Sequence, residues 1–149
     1  AFDGSASPME TSLALTLTLP LEFGGFGLPR PQLNAPINVS VPGGQMTVTP
    51  DFLWREQRVA LEYDSDEFHA NKGRERAGRD ALRANALLAG GYRVFRATTQ
   101  MVRTLEGVAV LAGQLAAALG VDLAEPTEVE GLRRRRLFAE LMPKEKLRT

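Results

Sequence analysis

The chain has 149 residues, no cysteine, and 18 basic against 18 acidic side chains, so its formal net charge is zero. That length can bury roughly 68 to 70% of the unfolded surface without disulfide staples, and the missing cysteine removes disulfides, thiolate metal sites and a cysteine nucleophile together. Zero net charge argues against binding nucleic acid through bulk charge alone, and the longest apolar stretch, Leu13 to Phe23, is broken by Pro20 and falls short of the ~20 residues of a membrane span.

No basic leader precedes that stretch, so a cytoplasmic setting is expected. The chain opens at Ala1 rather than at Met, which suggests a piece of something longer. The charge is unevenly spread. Basic residues gather in the stretch 51–103 and at the C-terminus, whereas 104–132 carries acids and no base.

In chain order, Ser7-Pro8-Met9-Glu10 has the form of a capping box, with Ser as N-cap and Pro at the first helical position, so a helix should start there. Leu13, Leu15, Leu17 and Leu19 alternate as a strand would, and the cap is taken as the stronger signal. Phe23 to Pro36, rich in Gly and Pro, reads as a loop. Ile37 to Val41, a turn at Pro42-Gly43-Gly44, Met46 to Trp54, and Arg58 to Asp64 read as a meander of three antiparallel strands.

From Gly73 the spacing of Ala77, Ala81, Leu82, Ala84 and Leu88 is helical, and Gly90-Gly91 supplies a stop. Tyr92 to Ala97 is a fourth strand. Leu105 to Leu119 is a helix with Val108, Leu111, Ala112 and Leu115 inward, and a last helix runs from about Thr127 to Leu141. The expected class is α/β, an αβββαβ arrangement in which helices flank a mixed central sheet.

The chemistry gathers on the middle of that order. If the hairpin between the second and third strands turns at Glu56-Gln57, residues whose numbers sum to 113 face each other, which sets Asp51 opposite Glu62. Cross-strand neighbours have Cβ atoms ~4.5 to 5.5 Å apart, and like charges there are destabilising, so two acids so placed call for a cation. Alternation puts Phe52, Trp54, Val59, Leu61 and Tyr63 on one face and Asp51, Glu62 and Asp64 on the other. The turn itself is unusual, since Glu-Gln is not a pair that favours a two-residue hairpin loop.

Pro50-Asp51-Phe52, Glu62-Tyr63-Asp64-Ser65, His69, the helix through Arg79-Asp80, and Gly91-Tyr92-Arg93-Val94-Phe95-Arg96 resemble the PD-(D/E)XK nuclease superfamily and, more narrowly, its Vsr-like endonuclease domains of uncharacterised bacterial proteins. The resemblance implies a restriction-endonuclease-like core over about 7–119, a helical extension over about 127–142, and a single domain over 1–149. It implies Mg²⁺ or Mn²⁺ as cofactor, held by Asp51, Glu62 and the Tyr63 carbonyl, with Glu10 approaching from the first helix; the capping role of Glu10 is the plainer explanation of that residue. The catalytic set would be Asp51, Glu62, Asp64, His69 and Lys72, and the nucleic-acid contacts Lys72, Arg74 and Arg79. Position 64 departs from the pattern, which has Lys where this chain has Asp. Lys72 reaching back, or Asp64 holding a second ion or the water, are the two ways round that departure.

Hydrolysis of DNA by a metal-dependent endonuclease is the leading expectation. A catalytically degenerate module of the same fold, binding DNA or a protein partner in a regulatory or toxin-antitoxin context, is the alternative. DNA is the expected partner and a membrane is not; a homodimer stays open, as does an N-terminal DNA-binding domain in a longer parent chain. His69 reads equally as a surface histidine, and Lys72, Arg74, Arg76, Arg79 and Arg83 spiral around one helix as solvated charge does. Arg133 to Arg136 points all round its helix and reads as solvated charge at least as well as a phosphate-binding run. Phe52 and Trp54 read as core, and Gly24-Gly25-Phe26-Gly27 lacks the Gly-Lys-Ser/Thr ending of a phosphate loop.

Overall fold

Pro50 has no N–H to give to a ladder, and the expected strand from Met46 to Trp54 breaks there into two. The computed structural model describes residues 7–64 and 73–142. Contacts divide the chain into one unit of Pro31–Thr99 and a second of residues 7–30 with residues 100–142. Helices and a mixed sheet make the chain a member of the α/β class, as its element order predicts.

In the first unit, β1 (Gln32–Leu33) lies within the segment expected to be loop. β2 (Ile37–Val41) and β3 (Gly44–Val48) form a two-stranded antiparallel sheet of their own. β4 (Phe52–Trp54), β5 (Val59–Asp64), α2 (Arg74–Ala89) and β6 (Arg93–Thr98) follow. The larger sheet has the order β1-β4-β5-β6, with β1 and β5 antiparallel to β4, and β6 parallel to β5. The three-strand meander is therefore corrected: the break at Pro50 frees β3 to pair with β2 alone, while β1 takes the far edge of β4. A two-residue strand has too little length to show an alternating pattern, so β1 left no sequence signal.

The hairpin between β4 and β5 has the expected register, Phe52↔Leu61, Leu53↔Ala60 and Trp54↔Val59. Its loop is longer than two residues. Arg55 to Arg58 form a four-residue turn closed by the Arg58 N–H on the Arg55 carbonyl at 3.2 Å, with Arg58 at φ 54°. Adding one residue on each side of Glu56-Gln57 leaves every cross-strand pair unchanged.

The expectation of one packed face and one polar face needs amendment. Leu53 and Ala60 are as fully buried as Phe52 and Leu61. They join Ile37, Val39, Val48, Ala86 and Leu87 in the core of this unit, under α2. Only the end of the hairpin beyond that core carries the acids. α2 forms where expected, but Leu82 and Leu88 are exposed, and the residues that pack are Ala86 and Leu87. The helix ends at Gly90, and Gly91 takes φ 85°, a left-handed conformation open to glycine. The Arg58 guanidinium donates to the Gly90 carbonyl at 2.7 Å, tying the hairpin loop to the end of α2.

In the second unit, α1 (Pro8–Thr18) starts on Ser7, whose hydroxyl accepts the Glu10 N–H at 3.2 Å, and buries Leu13, Ala14 and Leu17 at helical spacing. A 3₁₀ turn, Leu21–Phe23, follows. After the short α3 (Thr99–Val102), which leaves the first unit, come α4 (Leu105–Leu119), capped by Thr104, and α5 (Glu128–Leu141), opened by a capping box of Thr127 and Glu130. Val108, Leu111, Ala112 and Leu115 are buried as their spacing predicts. No helix among the described residues is long and apolar enough to cross a membrane.

Candidate functional site

The hairpin ladder reaches no further than Phe52, the first residue of β4, and the next amide on β5 needs another acceptor. Asp51 supplies it: its Oδ2 accepts the Tyr63 N–H at 2.8 Å, while its own carbonyl accepts the Asn34 N–H at 3.1 Å. The carboxylate of Asp51 is thus aimed across the hairpin at the segment carrying Glu62. The ladder itself stops at Phe52↔Leu61, and extending its register by one pair would set Asp51 opposite Glu62, the pairing that the sequence leads one to expect.

Glu62 is 7% exposed, and a carboxylate so buried requires a cation or several donors. Arg83, on α2, provides the cation. Its Nη1 donates to Glu62 Oε1 in an ion pair, and its Nη2 donates to the Thr49 carbonyl at 2.6 Å. One guanidinium therefore spans from β5 to the residue before Pro50. Sequence reasoning placed Arg83 among five cations on a solvated helix and gave it no role. The signal was present in the spacing, because Arg83 lies one helical turn before Leu87, on the face that packs against the sheet.

Asp64 follows Glu62 on the same face of β5. Its partner is Arg96 on β6, at 3.3 Å, the two side chains being 22% and 44% exposed. The parallel register Glu62↔Arg96 brings that arginine alongside. Both acids of the Glu62-Tyr63-Asp64 triplet therefore face an arginine of the same unit. Tyr63 sends its hydroxyl to within 3.1 Å of Thr99 Oγ1, on the first residue of α3.

Of the other expected site residues, His69 and Lys72 lie outside the described residues. Arg74 and Arg79 are exposed on the first half of α2. Glu10 belongs to the second unit, on the first turn of α1. The unit that holds Asp51, Glu62 and Asp64 is Pro31–Thr99.

In type, this donor set suits a hard divalent ion: the carboxylates of Asp51 and Glu62 and the main-chain carbonyl of Thr49, all oxygen. In number it suits an ion that keeps most of its water, since Mg²⁺ uses only one or two carboxylates. Among the described residues no group of three or more His, Asp or Glu gathers to hold an ion. Asp51 and Glu62 are the pair that fits, with Arg83 on Glu62 as the cation the site already contains.

The arginine run on α5 resolves into separate roles. Arg133 donates to the Glu22 carbonyl at 2.9 Å and Arg134 to the Gly25 carbonyl at 3.2 Å, with the Arg134 guanidinium 3.9 Å from the centre of the Phe26 ring. Burial pushes the Arg134 guanidinium below its usual pKa, against the opposing pull of Glu130 and Glu125. Arg135 and Arg136 are exposed. Two members of the run thus hold the turn after α1. Gly24 and Gly25 belong to the same contact: a Cβ at Gly24 would meet the Arg133 carbonyl at 2.6 Å.

Comparison with family models, with curated proteins and with solved structures gives no match. The residues and their geometry carry the functional reading.

Proposed function

We propose that the Pro31–Thr99 unit is a metal-dependent phosphodiesterase domain acting on DNA, akin to the Vsr-like members of the PD-(D/E)XK superfamily. The observation that carries this reading is the hairpin register, which extended by one pair brings the carboxylate of Asp51 level with that of the buried Glu62. A Mg²⁺ or Mn²⁺ held by Asp51 and Glu62, with the Tyr63 carbonyl, would polarise a phosphoryl oxygen and lower the pKa of a bound water. Asp51 is oriented for that task by the Tyr63 N–H, which fixes one carboxylate oxygen on the strand. Glu62 is held by the sheet on one side and α2 on the other. Asp64, partly exposed beside Arg96, would hold the attacking water or a second ion.

Plasmid DNA incubated with the protein and Mg²⁺ or Mn²⁺ tests the reading. Nicking is expected, with its loss in Asp51→Ala at unchanged helical and sheet content. Cleavage that survives Asp51→Ala refutes it.

A second reading is favoured by one observation: Arg83 on Glu62 and Arg96 on Asp64 leave both acids of the triplet neutralised from within. In that reading the unit is a non-catalytic module that binds DNA or a protein partner. Salt-dependent DNA binding that needs no metal and is unchanged in Asp51→Ala would distinguish it.

A further inference from the structure

We propose that Arg83 is a latch on the candidate site, a resident counter-ion that must release Glu62 before a divalent cation can be held there. The inference rests on the phosphodiesterase reading and names the control of that same site. Three features of the contact carry it.

First, the guanidinium binds two oxygens of the kind a hard cation takes, the Glu62 carboxylate Oε1 and the Thr49 main-chain carbonyl. Arg83 and a divalent ion therefore compete for the Glu62 carboxylate itself rather than for a neighbouring group. Second, the two partners differ in exposure. The Arg83 side chain is 29% exposed and the Glu62 side chain 10%, so the cation has the wider route to solvent. An arginine that swings outward regains water and rotamer freedom. A carboxylate left behind in that position, without a cation, is strongly destabilised. Exchange of one cation for another is the low-energy way to open the pair, whereas simple opening is not.

Third, the latch sits on a fixed mount. The far end of α2 is anchored by the Arg58 guanidinium on the Gly90 carbonyl and by burial of Ala86 and Leu87. Release of Glu62 therefore requires rotation about the Arg83 side-chain bonds only, with the helix in place. Asp51 keeps its own bond to the Tyr63 N–H throughout, so half of the ligand pair stays set while Arg83 moves.

Calorimetric titration of Mn²⁺ into the full chain without nucleic acid tests the latch. Removing one competing positive charge should tighten Mn²⁺ binding by Arg83→Gln at least about tenfold over wild type, while Arg83→Lys, which keeps the charge, stays near wild type. Mn²⁺ should also raise the melting temperature of Arg83→Gln at concentrations that leave wild type unmoved. Equal affinities in wild type and Arg83→Gln, both lost in Glu62→Gln, overturn the latch and leave the phosphodiesterase reading standing. No Mn²⁺ binding by any variant, together with no DNA nicking, removes both.

Should Arg83→Gln fail to fold, the Arg83 Nε–Hε resonance of the wild-type protein reads the same event. It should shift as Mg²⁺ saturates the site. A resonance that stays fixed through saturation contradicts the latch.

Discussion

Arg83 closes an ion pair with Glu62 across 21 residues of sequence, joining α2 to β5 where a buried acid faces the helix. The pair contributes little net stability, because two charges brought out of water recover little more than they lose. Removing one partner is different. Arg83→Met should destabilise the protein by about 2 kcal/mol, below the 3 to 5 kcal/mol of a fully buried pair because the arginine is partly solvated. The double change Glu62→Leu/Arg83→Met should cost less than Arg83→Met alone, and urea denaturation of the four-member cycle measures the difference.

Asp51 carries two separable roles, as acceptor for the Tyr63 N–H and as a candidate metal ligand. Asp51→Asn keeps an acceptor oxygen and loses the charge; Asp51→Ala loses both. Alanine should cost about 1 to 3 kcal/mol of stability and asparagine less, since an orphaned amide is the larger penalty. DNA cleavage should be lost in both. Thermal melts beside the nicking assay separate the effects.

Arg134 and Arg135 are neighbours in sequence with unlike surroundings. Arg134 donates to the Gly25 carbonyl and lies over Phe26, whereas Arg135 is exposed. Arg134→Ala should lose about 2 kcal/mol, from the charged hydrogen bond and the ring contact, and Arg135→Ala should stay within about 0.5 kcal/mol of wild type. Chemical denaturation of the two variants side by side checks this.

Gly24 and Gly43 make a similar contrast. Both take positive φ, at 94° and 90°, but a Cβ at Gly24 meets the Arg133 backbone while a Cβ at Gly43 meets open space. Alanine at position 43 should cost about 1 kcal/mol for its conformation alone. At position 24 the clash adds to that, and the melting temperature should fall further.

Much of this was legible in the sequence, for reasons local to particular residues. The Ser7 cap outweighed the alternating leucines because a hydroxyl on a free N–H is a specific bond, whereas Leu13 and Leu17 also suit a helix. The β4–β5 register followed from the turn position and survived a longer loop because Arg55 and Arg58 extend it symmetrically. The assignment of β3 and β1 was not legible. Which sheet a strand joins depends on partners far along the chain, and Pro50 marks a break without saying where the freed strand goes.

The site was half legible. Asp51 and Glu62 stand out by type and spacing, but Arg83 is one of several cations on a helix whose buried face is Ala86 and Leu87, not the alanine stripe that the spacing suggests. Small residues such as Ala77 and Ala81 fit a solvent face as well as a packed one, so the stripe could not identify which arginine turns inward.

The central claim is that Asp51 and Glu62 form a site for a divalent cation. Paramagnetic broadening by substoichiometric Mn²⁺ in the amide spectrum of the ¹⁵N-labelled protein tests it at the atoms concerned. The amides of Asp51, Glu62, Tyr63 and Asp64 should broaden first, more sharply in Arg83→Gln and not at all in Asp51→Ala/Glu62→Ala. Broadening confined to other acids, such as Glu22 and Glu140 on the second unit, or unchanged in the double variant, would contradict it.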